Sequence, residues 1–166
     1  PCDAVAEKYR APFFQFSARK YAILAGYDPR RAFERCRTLE ASDDRQHCYR
    51  GASGTFGFAP PELAIRQWPC TAAPAEGRRM CAITMALAAV DQNKKLGEGV
   101  ALCQRAPEEL KAACFRGGGT IMAYTESRER VRWPELCQAA PGALAAECLA
   151  GAEGRWQRNL GWGAEP

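Results

Sequence analysis

The chain has 166 residues, 47% hydrophobic and 25% charged, and carries a net charge of +4 from 23 basic and 19 acidic residues. This is the size and make-up of one ordinary globular domain. The charge is too mild, and too free of basic runs, for a nucleic-acid binder. The most apolar run, Met80 to Val90 (MCAITMALAAV), falls short of the ~20 residues a membrane span needs, so no transmembrane segment is expected.

In chain order, the segment from Cys2 to Tyr27 comes first. Pro12 suits the first turn of a helix. Phe13, Phe16, Lys20, Ile23 and Leu24 follow at mostly helical spacing, and Gly26 reads as its stop. Asp28 as N-cap and Pro29 behind it predict a short helix from Arg30 to Arg37, with Phe33 and Cys36 on one face. Ser42 or Asp43 is expected to cap the next helix, which carries Cys48, Gly51, Thr55 and Phe58. Ala59-Pro60-Pro61 breaks the chain. Glu62 to Gln67 is expected to be a short helix, closed at Trp68-Pro69 because a residue before proline avoids the α region.

After Cys70 and a turn at Ala73-Pro74, a helix is predicted from Ala75 to about Leu96. Its middle is apolar almost all round, which implies a helix covered on both sides. Gly97 and Gly99 read as a turn, and Val100 to Arg105 as a short helix carrying Cys103. Pro107 opens a long helix with Leu110, Cys114, Gly117, Ile121 and Tyr124 on one stripe. Trp133-Pro134 repeats Trp68-Pro69. Cys137, a turn at Pro141 and a helix from Gly142 follow. That last helix is polar at Glu153, Arg155, Gln157 and Arg158, as a terminal cap should be. The tail Leu160 to Gly163 is expected to leave the helical pattern.

One phrase recurs through this order. CQRAPEELKAACFRGGG (103–119) matches CQAAPGALAAECLAGAEG (137–154), CTAAPAEGRRMCAIT (70–84) and CRTLEASDDRQHCYRGASG (36–54). The first cysteines, 36, 70, 103 and 137, step by 34, 33 and 34; the second, 48, 81, 114 and 148, by 33, 33 and 34. A fixed period of this size marks a repeat architecture. The whole of 1–166 is read as one helical-repeat domain, with units of about 1–27, 28–60, 61–96, 97–132 and 133–166. Each unit is a short helix, a tight turn and a longer helix. The fold class is therefore all-α, a solenoid or bundle of short-long hairpins.

Nine cysteines, one histidine and no Cys-x-x-Cys leave zinc, iron–sulfur and thioredoxin-like readings without their usual spacing. Cysteines paired in phase suit disulfides of an oxidising compartment. The pairing that treats every repeat alike is Cys36–Cys48, Cys70–Cys81, Cys103–Cys114 and Cys137–Cys148. Each bridge closes a loop of about twelve residues and is expected to stabilise its unit by ~2–3 kcal/mol. Cys2 falls in the same phase without a second cysteine, Phe13 and Phe14 standing in its place. Either its partner is lost or upstream, or it pairs with another chain. A chain opening at Pro1 without Met is expected to have lost residues upstream, and the protein is read as exported: periplasmic, extracellular or lumenal.

Three residues after each second cysteine stands Gly51, Thr84, Gly117 or Gly151. A small residue there lets a neighbouring helix come close, at up to ~1 kcal/mol per helical glycine. Gly117-Gly118-Gly119 lacks the Lys-Ser/Thr of a phosphate loop, so packing is the better reading. Period, helix pairing, small-residue positions and one cysteine pair per unit resemble disulfide-stapled helical repeat proteins of the Sel1 and tetratricopeptide kind, over about Pro29 to Trp156. The Sel1 consensus is not matched, and the cysteines stand further apart than in those proteins. The resemblance implies protein or peptide binding on a concave helical surface and no catalysis; it carries over no functional residues.

Candidates for chemistry are few. His47, without a partner histidine or a free thiol, reads as structural, and capping explains Asp43 and Asp44 better than a metal patch does. Tyr49-Arg50 and Phe115-Arg116 each follow a second cysteine and are the candidate interface, set against the alternative that the rings pack between units while the arginines face water. Trp162 in the glycine-rich tail either folds back or docks on a partner. No catalytic, cofactor or metal residue is assigned. The expected function is a non-enzymatic binding or assembly module, an accessory subunit of a larger complex, with a protein or peptide partner and no nucleic acid. The alternatives are a thiol-rich metal-binding protein or a helical hydrolase.

Overall fold

A computed structural model of the chain describes residues 5–58, 68–93, 96–125 and 130–163, with the backbone alone at 93, 96, 124, 125 and 155–163. The α-helices are α1 (Glu7–Leu24), α2 (Pro29–Arg37), α3 (Ser42–Gly57), α4 (Ala75–Asn93), α5 (Leu96–Gln104), α6 (Glu108–Thr125), α7 (Trp133–Cys137) and α8 (Leu144–Gly163), with 3-10 turns at Pro69–Ala72 and Arg130–Arg132. The fold is all-α, with no strand among the described residues. Two compact units divide it, Pro1–Cys81 and Ala82–Pro166, the division falling inside α4. Cys2 and the segment from Glu62 to Gln67 lie outside the described residues, as does the side chain of Trp162.

In the first unit α1 packs on α3, α2 on both, and the turn Pro69–Ala72 on α2 and α3. Helix α1 begins at Glu7 and takes Pro12 into its interior, five residues earlier than the proline suggests. Proline there removes one backbone hydrogen bond, while the guanidinium of Arg10 grips both oxygens of Asp44 and ties the preceding turn to α3. The other end is a Schellman motif. Gly26 stands at φ +64° and Tyr27 at φ +60°, and the amides of Tyr27 and Gly26 reach the carbonyls of Ala22 and Ile23, each at 2.9 Å.

Asp28 then caps α2, its carboxylate accepting from the amides of Arg30 (2.9 Å) and Arg31 (3.3 Å). Ala32, Phe33 and Cys36 turn inward. Neither Ser42 nor Asp43 caps α3: the N-cap is Ala41, with no side-chain bond. Asp44 is instead buried and paired with Arg10, a long-range contact that no local signal announces. Phe56, not Phe58, closes the inner stripe of α3, packing on the Phe33 ring at 5.5 Å.

In the second unit α6 packs on α8, α5 on α6, and α7 on α8. Residues 97 and 99 are helical, within α5, and not the turn their glycines suggest. The reason at 99 is packing: a β-carbon on Gly99 would stand 2.4 Å from Val90 Cγ2. Likewise α8 runs to Gly163 through the tail expected to leave the helix.

Four disulfides close the hairpins: Cys36–Cys48, Cys70–Cys81, Cys103–Cys114 and Cys137–Cys148, with Cα atoms 5.5–5.7 Å apart. All eight cysteines are buried. Between hairpins the glycine rule takes physical form. A β-carbon on Gly51, Gly117 or Gly151 would stand 2.1, 2.1 or 2.0 Å from the carbonyl oxygen of Gln15, Ile83 or Arg116, in the long helix one repeat earlier. Gly119 meets Cys148 of the next repeat in the same way, at 1.9 Å. Thus Gly117 and Gly119 admit α4 on one side of α6 and α8 on the other. An α-carbon so placed lies no farther than about 3.6 Å from the oxygen, within reach of a Cα–H···O contact. Thr120 adds a hydroxyl 2.9 Å from its own helix's Arg116 carbonyl and 3.2 Å from that of Gly151 on α8.

These contacts separate two kinds of glycine. Gly117→Ala, which drives a β-carbon into the Ile83 carbonyl, is expected to cost about 1–3 kcal/mol or more of unfolding free energy. Gly97→Ala, whose β-carbon meets nothing within 4 Å, is expected to leave stability within about 0.5 kcal/mol or to raise it. Urea titration of the two oxidised variants checks this, and equal effects would contradict the close approach.

Candidate functional site

The two aromatic rings of the candidate interface are not on a surface. Tyr49 is 0% and Phe115 2% exposed. The Tyr49 ring lies edge-on to Phe33 at 6.0 Å and fills the space beside Gly77, where a β-carbon would come within 2.9 Å of it. Its hydroxyl donates to Glu76 Oε1 at 2.9 Å. Arg45 converges on the same oxygen at 3.2 Å and donates to the carbonyls of Leu39 and Glu40. Of the arginines, Arg50 is exposed, whereas Arg116 is half-buried and donates from Nε to Glu147 Oε2 at 2.8 Å, one repeat later. A ring directly after the second cysteine is thus drawn into the core beside the disulfide.

His47 is half-buried in the α1–α3 seam, its Nδ1 3.4 Å from Gln15 Nε2. The eight cysteines from 36 to 148 are oxidised in pairs, so they offer no thiolate to a metal or a substrate. No cluster of three His, Cys, Asp or Glu side chains suited to a metal ion occurs among the described residues.

The concave feature that stands out lies within the first unit. Helix α2 has the sequence PRRAFERCR, and burial of Ala32, Phe33 and Cys36 leaves its arginines outside. The turn Pro69–Ala72, held by Cys70–Cys81, comes against α2 and leads into α4. Between them is an open groove of about 610 Å³. Arg30, Glu34 and Arg37 line it from α2, Thr71 from the turn, Pro74 from the link after it and Arg78 from α4, with Phe33 beneath. Arg37 meets Glu34 at 3.0 Å. Arg78 donates Nε to the Ala73 carbonyl at 3.0 Å, which fixes its position. Arg30 has no carboxylate partner among the described residues.

The groove thus holds three guanidinium groups against one carboxylate. The Thr71 hydroxyl already donates to the Trp68 carbonyl at 2.8 Å. The groove therefore has the means to hold an anion. The clustering of arginine in α2 was the available sequence signal; the other wall comes from a repeat later, which no local pattern shows.

Burial, reinforced by the hydrogen bond and charge of Glu76, raises the Tyr49 phenol from its ordinary 10.0 to about 12. The neutral phenol is therefore favoured by folding. Its contribution is present in full below pH ~10, where an unfolded tyrosine would begin to ionise, and is lost as pH climbs to ~12. Phenolate absorbance should show one tyrosine ionising last. Glu76→Gln should move it toward, but not to, the ordinary value, since burial is the largest cause. A Tyr49 that titrates near pH 10 in the folded protein would contradict the burial.

Comparison with protein-family models, curated proteins and solved structures finds no match to this chain.

Proposed function

We propose that this chain is a non-enzymatic binding module of an oxidising compartment that holds an acidic segment of a protein partner in the α2 groove. The observation that carries the reading is the convergence of Arg30, Arg37 and Arg78 on one concavity with a single opposing carboxylate. Guanidinium groups form paired, charge-assisted hydrogen bonds with carboxylates, and arginine is enriched where proteins bind one another. Two supports stand beside it. Four buried disulfides fit an exported setting, where such bonds persist. Helix hairpins stepping at 33–34 residues resemble the peptide-binding helical repeats of the Sel1 and tetratricopeptide kind. In this reading the chain is an accessory subunit, its walls fixed before the partner arrives, so little ordering is left to oppose binding.

The test is fluorescence anisotropy with a labelled peptide rich in Asp and Glu, and a Lys-rich one for comparison. Binding of the acidic peptide alone is expected, weakening with salt. Arg30→Glu with Arg78→Glu should weaken it at least about tenfold, while Arg50→Glu should not. Acidic and basic peptides binding alike, or acidic binding indifferent to the double reversal, would refute the assignment.

A further inference from the structure

Helix α1 is apolar on two faces. Phe14, Ala18 and Ala22 are buried. Away from them stand Tyr9, Phe16 and Ile23, seven residues apart and so in line along the helix, with Leu24 beside the last. These four are 57%, 66%, 53% and 72% exposed. Aligned large apolar side chains on the outside of a folded unit mark an interaction surface.

The charges around this row say what covers it. Lys8 lies over the Tyr9 ring at 4.9 Å and Arg19 over the Phe16 ring at 5.6 Å. Exposed Lys20 stands between Phe16 and Ile23 in sequence. The one acid in α1, Glu7, is 3.8 Å from Arg10, whose partner Asp44 belongs to α3. The outward face is therefore aromatic and aliphatic, edged by three cations and free of acid. A second copy docked face to face would bring those cations against their own kind. An anionic partner would not.

From Tyr9 to Ile23 the row is about 21 Å long at 1.5 Å per residue. A helix with Phe, Tyr, Ile and Leu on its outer face and Lys and Arg at the rim is the pattern that lies flat in a bilayer interface. There the rings enter the headgroup boundary, and the long basic side chains reach anionic phosphates.

We propose that α1 seats this chain on the surface of an anionic membrane, with Tyr9, Phe16, Ile23 and Leu24 in the interface and Lys8, Arg19 and Lys20 on the lipid headgroups. This surface is separate from the α2 groove, and its test does not depend on that reading.

The experiment is co-sedimentation of the oxidised chain with phosphatidylcholine vesicles, with and without one-third phosphatidylglycerol. Binding to the anionic vesicles should exceed binding to the neutral ones at least about tenfold, since each cation near an anionic surface adds to the attraction. Phe16→Glu with Ile23→Glu should abolish it while circular dichroism shows the helices intact, since both side chains are already exposed. Lys8→Glu with Lys20→Glu should remove the preference for anionic lipid. Three results would overturn the proposal: no binding to anionic vesicles, equal binding to both kinds, or binding unchanged in the Phe16/Ile23 variant. So would self-association in sedimentation velocity that this variant abolishes, which gives the face to a second copy. Binding of an acidic amphipathic peptide in place of vesicles, lost in the same variant, would give it to a protein.

Discussion

In each repeat a sulfur bridge runs from the short segment to the second turn of the long helix, and the local geometry depends on it. Cys36–Cys48 sets α2 against α3; Cys70–Cys81 sets the turn Pro69–Ala72 against α4. Those two short segments are the two walls of the arginine groove. A groove built from α2 and a turn of four residues has little hydrogen bonding of its own to keep it open. Its walls hold because each is covalently tied to a long helix whose other contacts are extensive. Closing loops of this length restricts the unfolded chain by ~2–3 kcal/mol per bridge, a large share of the stability of a chain this size.

The second constraint is steric. A carbonyl of one long helix occupies the place a β-carbon would take on the next, at Gly51, Gly117 and Gly151. Long helices so placed are close enough for short polar links a repeat apart: Arg10 to Asp44, Arg45 and Tyr49 to Glu76, and Arg116 to Glu147. The aromatic side chain after the second cysteine is then needed inside, and Tyr49 and Phe115 are buried. The side chains left on the outside include the arginines of α2 and the outer row of α1.

Much of the hairpin architecture was legible because its signals are local or strictly periodic. The Asp28-Pro29 cap, the Gly26 stop and the in-phase glycines each do in the structure what their chemistry suggests. The misreadings have a common cause. Pro12 was read as a helix start, but a bond from Arg10 to a residue 34 positions on holds the turn before it. Gly97 and Gly99 were read as a turn, but Gly99 is small for the sake of Val90. Asp44 was read as a capping group, but it faces α1. The groove was missed for the same reason, since Arg30 and Arg78 come to line one concavity only through the fold. What the sequence hides in each case is which distant element fills the space beside a residue.

The most direct measurement of this account is peptide mapping of the natively oxidised chain by mass spectrometry without reduction. The account predicts four linked pairs, Cys36 with Cys48, Cys70 with Cys81, Cys103 with Cys114 and Cys137 with Cys148. A link between repeats, such as Cys48 to Cys70, would separate the short segments from their own long helices and contradict both the hairpin and the groove it supports.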